Sequence, residues 1–329
     1  VDTTIDAPLL LVLISRLADG DVAGQFLLDL ARKQDNRSDT IQLKPLSTAE
    51  TQQLVDHFIT QNTTEANKLK QQIVVRSDGN PLYVEEIVRM LTDQGGLVRE
   101  HSAGSWQVTS GADELVRGVP GTVKGLILSR FDRLPERTRT ILHKAAVLGT
   151  SFPVSLLAAL GREPLEILTE HLTELERRQF LHADDFRSEP GFSFCHGLTQ
   201  ETIYSTLLNR DRRTIHMQAA KAIEQSVLWL AEEQVELLAY HFAESEEPTR
   251  AIPHLIIAAE NAARRSANVL AIEHYGRAME ILPDQVQHPS DEYFQISIGL
   301  GTAYKFVGEY ATGNQILQEA LDQIWVWHR

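Results

Sequence analysis

The chain has 329 residues, 43% of them hydrophobic, which is enough for two or three domains with cores of their own. Its 45 acidic residues outnumber its 31 basic ones and give a net charge of −14, which argues against nonspecific binding to nucleic acid. No apolar run approaches the ~20 residues that span a bilayer. Cys195 is the one cysteine and cannot form an internal disulfide, so we predict a cytoplasmic protein.

The first 46 residues predict the end of a parallel α/β layer. Leu9–Ile14 is continuously apolar and rich in branched side chains, as in a strand that is buried on both faces. A helix is predicted over Gly24–Lys33 and a second short strand over Thr40–Leu43. The chain begins with Val1 rather than Met, so we expect it to be a fragment of a longer protein.

Residues 47–120 predict a small helical unit followed by a linker. A capping box at Ser47 starts one helix, and a second covers Glu65–Ser77. Gly79 can then take a left-handed conformation, and Pro81 suits the first turn of the next helix. The glycine-rich stretch Gly95–Pro120 is predicted as a linker that contains a short hairpin.

Residues 121–210 have the element order of a winged-helix domain. Their helices are predicted over Thr122–Leu134, Pro135–Leu148, Pro153–Leu160 and Pro164–Arg178. Two apolar segments around a charged turn, Phe180–Ala183 and Phe192–Phe194, then predict a hairpin.

Residues 211–329 predict helices with a tetratricopeptide-like repeat. One unit is marked by Ala259, Ala271, Tyr275, Ala278 and Pro283, and the next by Gly301, Tyr304, Gly308, Tyr310, Leu317 and Ala320. Ala278 and Ala320 lie 42 residues apart (320 − 278), so we place the excess over the usual spacing in the polar loop Asp284–Asp291. Because a stable stack needs about three repeats, the array is expected to continue beyond Arg329.

No catalytic or metal-binding motif stands out in the sequence. It lacks the phosphate-binding G-x-x-x-x-G-K-[ST] loop, a strand ending in paired acidic residues for magnesium, and a Cys/His cluster of metal-binding spacing. The nucleophile motif G-x-S-x-G is also missing. We therefore predict no catalytic residue and no metal ligand in this chain.

Three local features have both a structural and a functional interpretation. Gly79-Asn80-Pro81 is either a helix junction or a flat apolar surface for a purine ring. Arg16, at the end of the first predicted strand, either faces solvent or contacts a phosphate. His196, between a strand and a helix, either satisfies nearby backbone groups or holds a phosphate oxygen.

Together and in this order, these segments resemble the STAND class of AAA-related signalling ATPases, particularly its bacterial branch. The resemblance implies a mainly α chain: the C-terminal remnant of a parallel α/β nucleotide-binding core (1–46), a helical lid with its linker (47–120), a winged-helix domain (121–210) and truncated tetratricopeptide-like repeats (211–329). By resemblance, Arg16 is the sensor arginine, Gly79 and Pro81 form the lid motif that packs on adenine, and His196 contacts the diphosphate. Gly197 stands where many relatives have aspartate.

The resemblance implies a switch between an ADP-bound closed form and an ATP-bound open, self-associating form, regulated by a protein partner on the repeats. ATP or ADP with Mg would bind the full-length parent, an ATPase that is in some relatives fused to a cyclase or kinase domain. This fragment, without the phosphate loop, is expected to bind neither nucleotide tightly and to be inactive alone. The alternatives are a non-enzymatic repeat adaptor and, with less support, a winged-helix transcription regulator. The four glutamates within Leu165–Arg178 argue against the last, so nucleic acid is not an expected partner. A membrane is not expected as a partner either, because no apolar run is long enough to span one.

Overall fold

The computed structural model describes residue 12 and residues 41–99, 106–161, 164–186, 189–226, 231–283 and 290–327. The predicted helix Gly24–Lys33 and Arg16 lie outside these residues. Val12 is the one described residue of the predicted strand Leu9–Ile14; it has no regular structure and is 70% exposed, contrary to the prediction. The strand predicted over Thr40–Leu43 is also wrong for residues 41–43, which are irregular and exposed because no described strand pairs with them.

The described part of the chain is mainly helical, as predicted. Its α-helices are α1 (Thr48–Phe58), α2 (Thr64–Ser77), α3 (Pro81–Asp93), α4 (Ala112–Arg117), α5 (Val123–Phe131), α6 (Glu136–Leu148), α7 (Val154–Ala159), α8 (Leu165–Arg177), α9 (Gly197–Ser205), α10 (Asn209–Glu224), α11 (Ala231–Ala243), α12 (Ala251–Arg264), α13 (Asn268–Ile281), α14 (Asp291–Phe306) and α15 (Tyr310–Trp327). Its strands are β1 (Leu97–Arg99), β2 (Trp106–Val108), β3 (Ser151–Pro153), β4 (Leu181–Phe186) and β5 (Glu189–Phe194). No helix among the described residues is both long and apolar enough to cross a bilayer.

The start of α1 and the junction between α2 and α3 form through the local signals that predicted them. Ser47 and Glu50 make a complete capping box at the start of α1. At the junction, Asp78 and Gly79 both have positive φ, of 46° and 73°. The Asn80 side chain then accepts hydrogen bonds from the first backbone N–H groups of α3, and Pro81 occupies the first turn, where it costs no hydrogen bond.

The segment Gly95–Pro120 is more ordered than a linker. Its predicted hairpin is confirmed, with β1 antiparallel to β2. However, the sequence did not predict α4, whose Ala112 and Val116 are buried together with Val119 in the core formed by α1, α2 and α3. Because these apolar side chains need cover, the segment folds back on the helices.

The second unit combines α6, α7 and α8 with a three-stranded antiparallel sheet of order β3-β5-β4. The predicted hairpin is β4 and β5, whose register pairs Leu181 with Phe194. The short strand β3 was not predicted; its Phe152 pairs with Phe192 on β5. Phe152, Phe194 and Leu181 are all buried in the core of this unit.

Shared helices connect three hydrophobic cores. On α5, Leu126 packs in the core of α1–α3, whereas the next residue, Ile127, packs in the core of the second unit. On α7, Leu156 packs in the core of the C-terminal helices, whereas Leu157 packs in the second unit. Since successive residues of a helix point about 100° apart, each of these short helices can serve two cores.

From α10 to α15, each helix packs on the next. Small residues allow close approach: Ala259, Ala271 and Ala278 are fully buried. A Cβ on Gly301 would lie 3.0 Å from the Gly313 carbonyl oxygen, so α14 and α15 come close together at these two glycines. The marker residue Tyr310, by contrast, is 63% exposed.

Candidate functional site

Gly79 is placed where no other residue fits well. Its φ of 73° lies in the left-handed region, and a Cβ there would overlap the Leu46 carbonyl oxygen. The same two residues are joined by a hydrogen bond from the Leu46 N–H to the Gly79 carbonyl oxygen, 2.8 Å long. The glycine therefore attaches the irregular segment 41–47 to the start of α3.

Pro81 begins α3, and one turn later Glu85 follows on the same face of the helix. The Glu85 side chain is about one-third exposed, and its Oε2 lies 3.3 Å from Nε2 of His196. The structure thus brings His196 to the N-terminal half of α3, although 115 residues (196 − 81) separate it from Pro81 in the sequence.

His196 occupies the N-cap position of α9, but its side chain makes no capping hydrogen bond. Its Nε2 is buried and forms no hydrogen bond with the described residues, because the contact with Glu85 has ion-pair distance without hydrogen-bond geometry. The structural interpretation of this histidine, in which the ring satisfies nearby backbone groups, is therefore not supported for Nε2. The Nε2 atom lies beside Glu85 of α3, and the side chain does not cap its own helix.

Beside His196, a network of buried charges joins α3 to α5. Arg130 on α5 and Glu86 on α3 have side chains only 1% exposed, and Arg130 Nη1 lies 2.6 Å from Glu86 Oε2. Arg130 Nε also donates to Asp93 Oδ2, at 3.0 Å. Arg89 donates to both neighbouring carboxylates, at 2.6 Å to Glu86 and 3.3 Å to Glu85.

The network extends to the turn between α8 and β4. Arg130 donates to the Arg178 carbonyl oxygen and lies over the Phe180 ring, 4.5 Å from its centroid. Arg89 Nε donates to Gln179 Oε1 at 2.8 Å. Gln179 has a φ of 56°, a left-handed conformation that costs an ordinary residue roughly 1–2 kcal/mol.

Sequence reasoning missed this network, although the sequence contains a signal for it. Glu86 lies three residues after Tyr83 and four before Met90, both buried, and so falls on the apolar face of α3. Arg130 likewise lies three residues after Ile127 and four after Leu126, both buried. A charge placed on a helix's buried face requires a partner, and here the partners lie 44 residues apart.

The arrangement can hold and orient charge, but the described residues offer no visible bond-breaking chemistry. Burial raises the pKa of the nearby Cys195 thiol, which disfavours the nucleophilic thiolate. No group of three or more His, Cys, Asp or Glu side chains in the described part is placed to hold a metal ion.

A second buried polar cluster lies where α9, α10 and α11 meet. Nδ1 of His216 and Nδ1 of His241 are 2.9 Å apart, and both rings are almost fully buried. The Tyr204 hydroxyl lies 3.0 Å from His216 Nε2, and the Tyr240 ring packs edge-on against the His216 ring. Burial lowers the pKa of His216 to about 4 and that of His241 to about 3, helped for His216 by the charge of Arg212. Both rings are therefore neutral near pH 7.

Comparison with known proteins adds little about identity. No family model matches the chain. It is similar to an uncharacterized protein of Rhizobium meliloti (strain 1021), with 26% identity over 212 residues that cover 62% of this chain. The chain spans only about a fifth (19%) of the length of that curated relative.

Proposed function

We propose that the chain is the regulatory part of a nucleotide-switched signalling ATPase of the STAND class. The observation that carries this proposal is the position of His196, whose Nε2 faces the N-terminal half of α3 without a hydrogen bond. Two of the segments named by the resemblance, Gly79–Pro81 and His196, thereby meet at one helix. This is the arrangement required if one diphosphate nucleotide is to contact both.

In this proposal the adenine ring of ADP packs on Pro81 and the diphosphate reaches His196. The second unit, with its three helices and β3-β5-β4 sheet, serves as the winged-helix domain that closes over the nucleotide. The residues fit ADP only in part, because the Glu85 carboxylate lies beside His196 and would repel a phosphate unless it moved. Arg16 would read the terminal phosphate, and the phosphate loop and magnesium ligands would come from elsewhere in a longer gene product.

The helices from α10 onward serve in this proposal as the tetratricopeptide-like sensor for a protein partner. The shared helix α7 gives that sensor a direct mechanical connection to the second unit, since Leu156 and Leu157 pack in different cores. A partner that binds the open form more tightly would shift the population toward it. A shift from mostly closed to mostly open needs about 5.5 kcal/mol of differential binding.

Titration calorimetry with ATP and ADP tests the proposal on two proteins, residues 1–329 and the natural gene product that contains them. We expect weak or no binding to residues 1–329, because they contain no phosphate loop. The gene product is expected to bind ADP much more tightly than residues 1–329 do. A gene product that lacks G-x-x-x-x-G-K-[ST] and binds neither nucleotide would contradict the switch and favour the repeat adaptor.

A further inference from the structure

The buried ions at the junction of α3, α5 and the 178–180 turn call for an explanation beyond stability. Glu86 and Arg130 are both 99% buried, and Asp93 is 88% buried. Withdrawing such groups from water is costly, and a buried ion pair is often no more stable than well-packed apolar side chains of similar volume. An apolar junction would therefore hold α3 at least as firmly.

An apolar junction and an ionic junction differ in the free energy that is needed to separate them. Parting an apolar junction exposes hydrophobic surface to water, which is unfavourable. Parting an ionic junction returns its charges to water, and their hydration offsets much of the lost attraction. A charged junction can thus be specific in its geometry when closed and still separate readily.

We propose that Glu86, Arg89, Asp93 and Arg130 form a reversible latch between α3 and the 178–180 turn. Arg89 extends the latch to the surface, where it contacts Glu85, the carboxylate next to His196. A phosphate that displaced Glu85 would also disturb Arg89, and through Arg89 the buried Glu86. The latch therefore connects the candidate nucleotide site to the contact between the two units.

The turn that the two arginines contact is the end of α8. Gln179 is held at a φ of 56° while its side chain accepts from Arg89, and Arg130 binds the carbonyl oxygen of the residue before it. The positive φ belongs to the cap that ends α8, in which the Phe180 N–H donates to the Leu175 carbonyl oxygen and the Gln179 N–H to the Glu176 carbonyl oxygen. The two arginines therefore bind a helix end whose backbone is already held by its own cap.

Native-state hydrogen exchange of α3 amides, measured without nucleotide, tests the latch independently of the proposed function. The biological purpose of the latch rests on the nucleotide switch, but its existence does not. Three variants are compared with the wild type. R130M removes the buried partner of Glu86 and Asp93 and leaves Glu86 with Arg89 alone. E86M/D93N/R130M removes the three buried charges, and R277M removes the partly exposed ion pairs that Arg277 of α13 makes with Glu244 and Glu280.

We expect R130M to lower α3 protection by at least about a hundredfold, because it strands buried charge. The triple variant is expected to regain wild-type protection and to exceed it by about tenfold, because an apolar junction separates less readily. R277M should leave α3 unchanged. The latch is overturned if the triple variant is less protected than the wild type, which would make the ions a structural requirement. If R130M does not fold, the triple variant against the wild type decides alone.

Discussion

The buried pair His216 and His241 predicts how the free energy of unfolding depends on pH. The test compares the stability that the wild type and His241→Leu each lose between about pH 7 and about pH 5. An exposed histidine has a pKa of ~6.5. Burial lowers the pKa of His216 to about 4 and of His241 to about 3, so below pH 6.5 the unfolded chain binds more protons than the folded one. The stability that the neutral pair contributes is complete above pH 6.5 and is lost as the pH falls toward those folded-state values.

The magnitude follows from the same pKa values. When the pH falls from about 7 to about 5, each buried histidine lowers the free energy of unfolding by about 2 kcal/mol, so the pair lowers it by about 4 kcal/mol. His241→Leu removes one of the two groups, so the loss on acidification should shrink by about 2 kcal/mol. Groups that titrate in both proteins cancel in this difference. The variant also loses the 2.9 Å contact to His216, but that loss does not depend on pH to first order.

Urea unfolding at each pH, followed by pulse hydrogen exchange and mass spectrometry of peptides from α10 and α11, isolates this part of the chain. His182→Leu is the matched control, because it removes an exposed histidine on β4, outside the buried cluster. If wild type and His241→Leu lose the same stability within about 0.5 kcal/mol, the pair takes up protons in the folded state and the reasoning fails.

Two glycine-to-alanine substitutions test whether the backbone at Gly79 and Gly299 is closely packed against its neighbours. Urea unfolding compares each with the same substitution at a glycine that has no neighbour within 4 Å. Gly79→Ala should cost about 2–4 kcal/mol, from left-handed strain and overlap, whereas Gly95→Ala, with a similar φ and no neighbour within 4 Å, should cost only about 1–2 kcal/mol. Equal losses would remove the argument for a close approach at Gly79. Gly299→Ala should cost about 1–3 kcal/mol because its Cβ would overlap the Tyr275 ring. Gly276→Ala, which meets nothing within 4 Å in α13, should instead gain about 0.5–1 kcal/mol, and a gain at both positions would contradict the packing described.

The sequence predicted the elements whose signals are local. Ser47 and Glu50 are three residues apart, and the turn from Gly79 to Pro81 is a contiguous run, so the local sequence indicates the backbone there even though Gly79 also contacts Leu46. The short elements α4 and β3 were missed because their stability comes from tertiary contacts, with the core of α1–α3 and with β5 respectively. A six-residue helix carries too little of its own signal to be predicted.

The sequence predicted which residues belong to the candidate site, but it did not predict how those residues contact one another. The resemblance named Pro81 and His196, but it could not show that Glu85, on the helix that Pro81 begins, lies beside the ring of His196. Contacts such as Arg130 with Glu86 depend on how α3 and α5 cross, and no local pattern encodes that crossing. Gln179 was also unforeseen, because a glutamine with positive φ is imposed by its surroundings rather than favoured by its type.

The most direct measurement of the central claim is the equilibrium affinity for ADP of the natural gene product, with His196→Ala compared against His182→Ala. Loss of a hydrogen bond to a charged phosphate costs about 1.5–3 kcal/mol, so His196→Ala should weaken ADP binding by about ten- to a hundredfold. His182→Ala removes an exposed histidine from the same unit and should leave the affinity unchanged. Equal ADP affinity in the two variants and the wild type would contradict the account, because His196 would then have no part in holding a diphosphate.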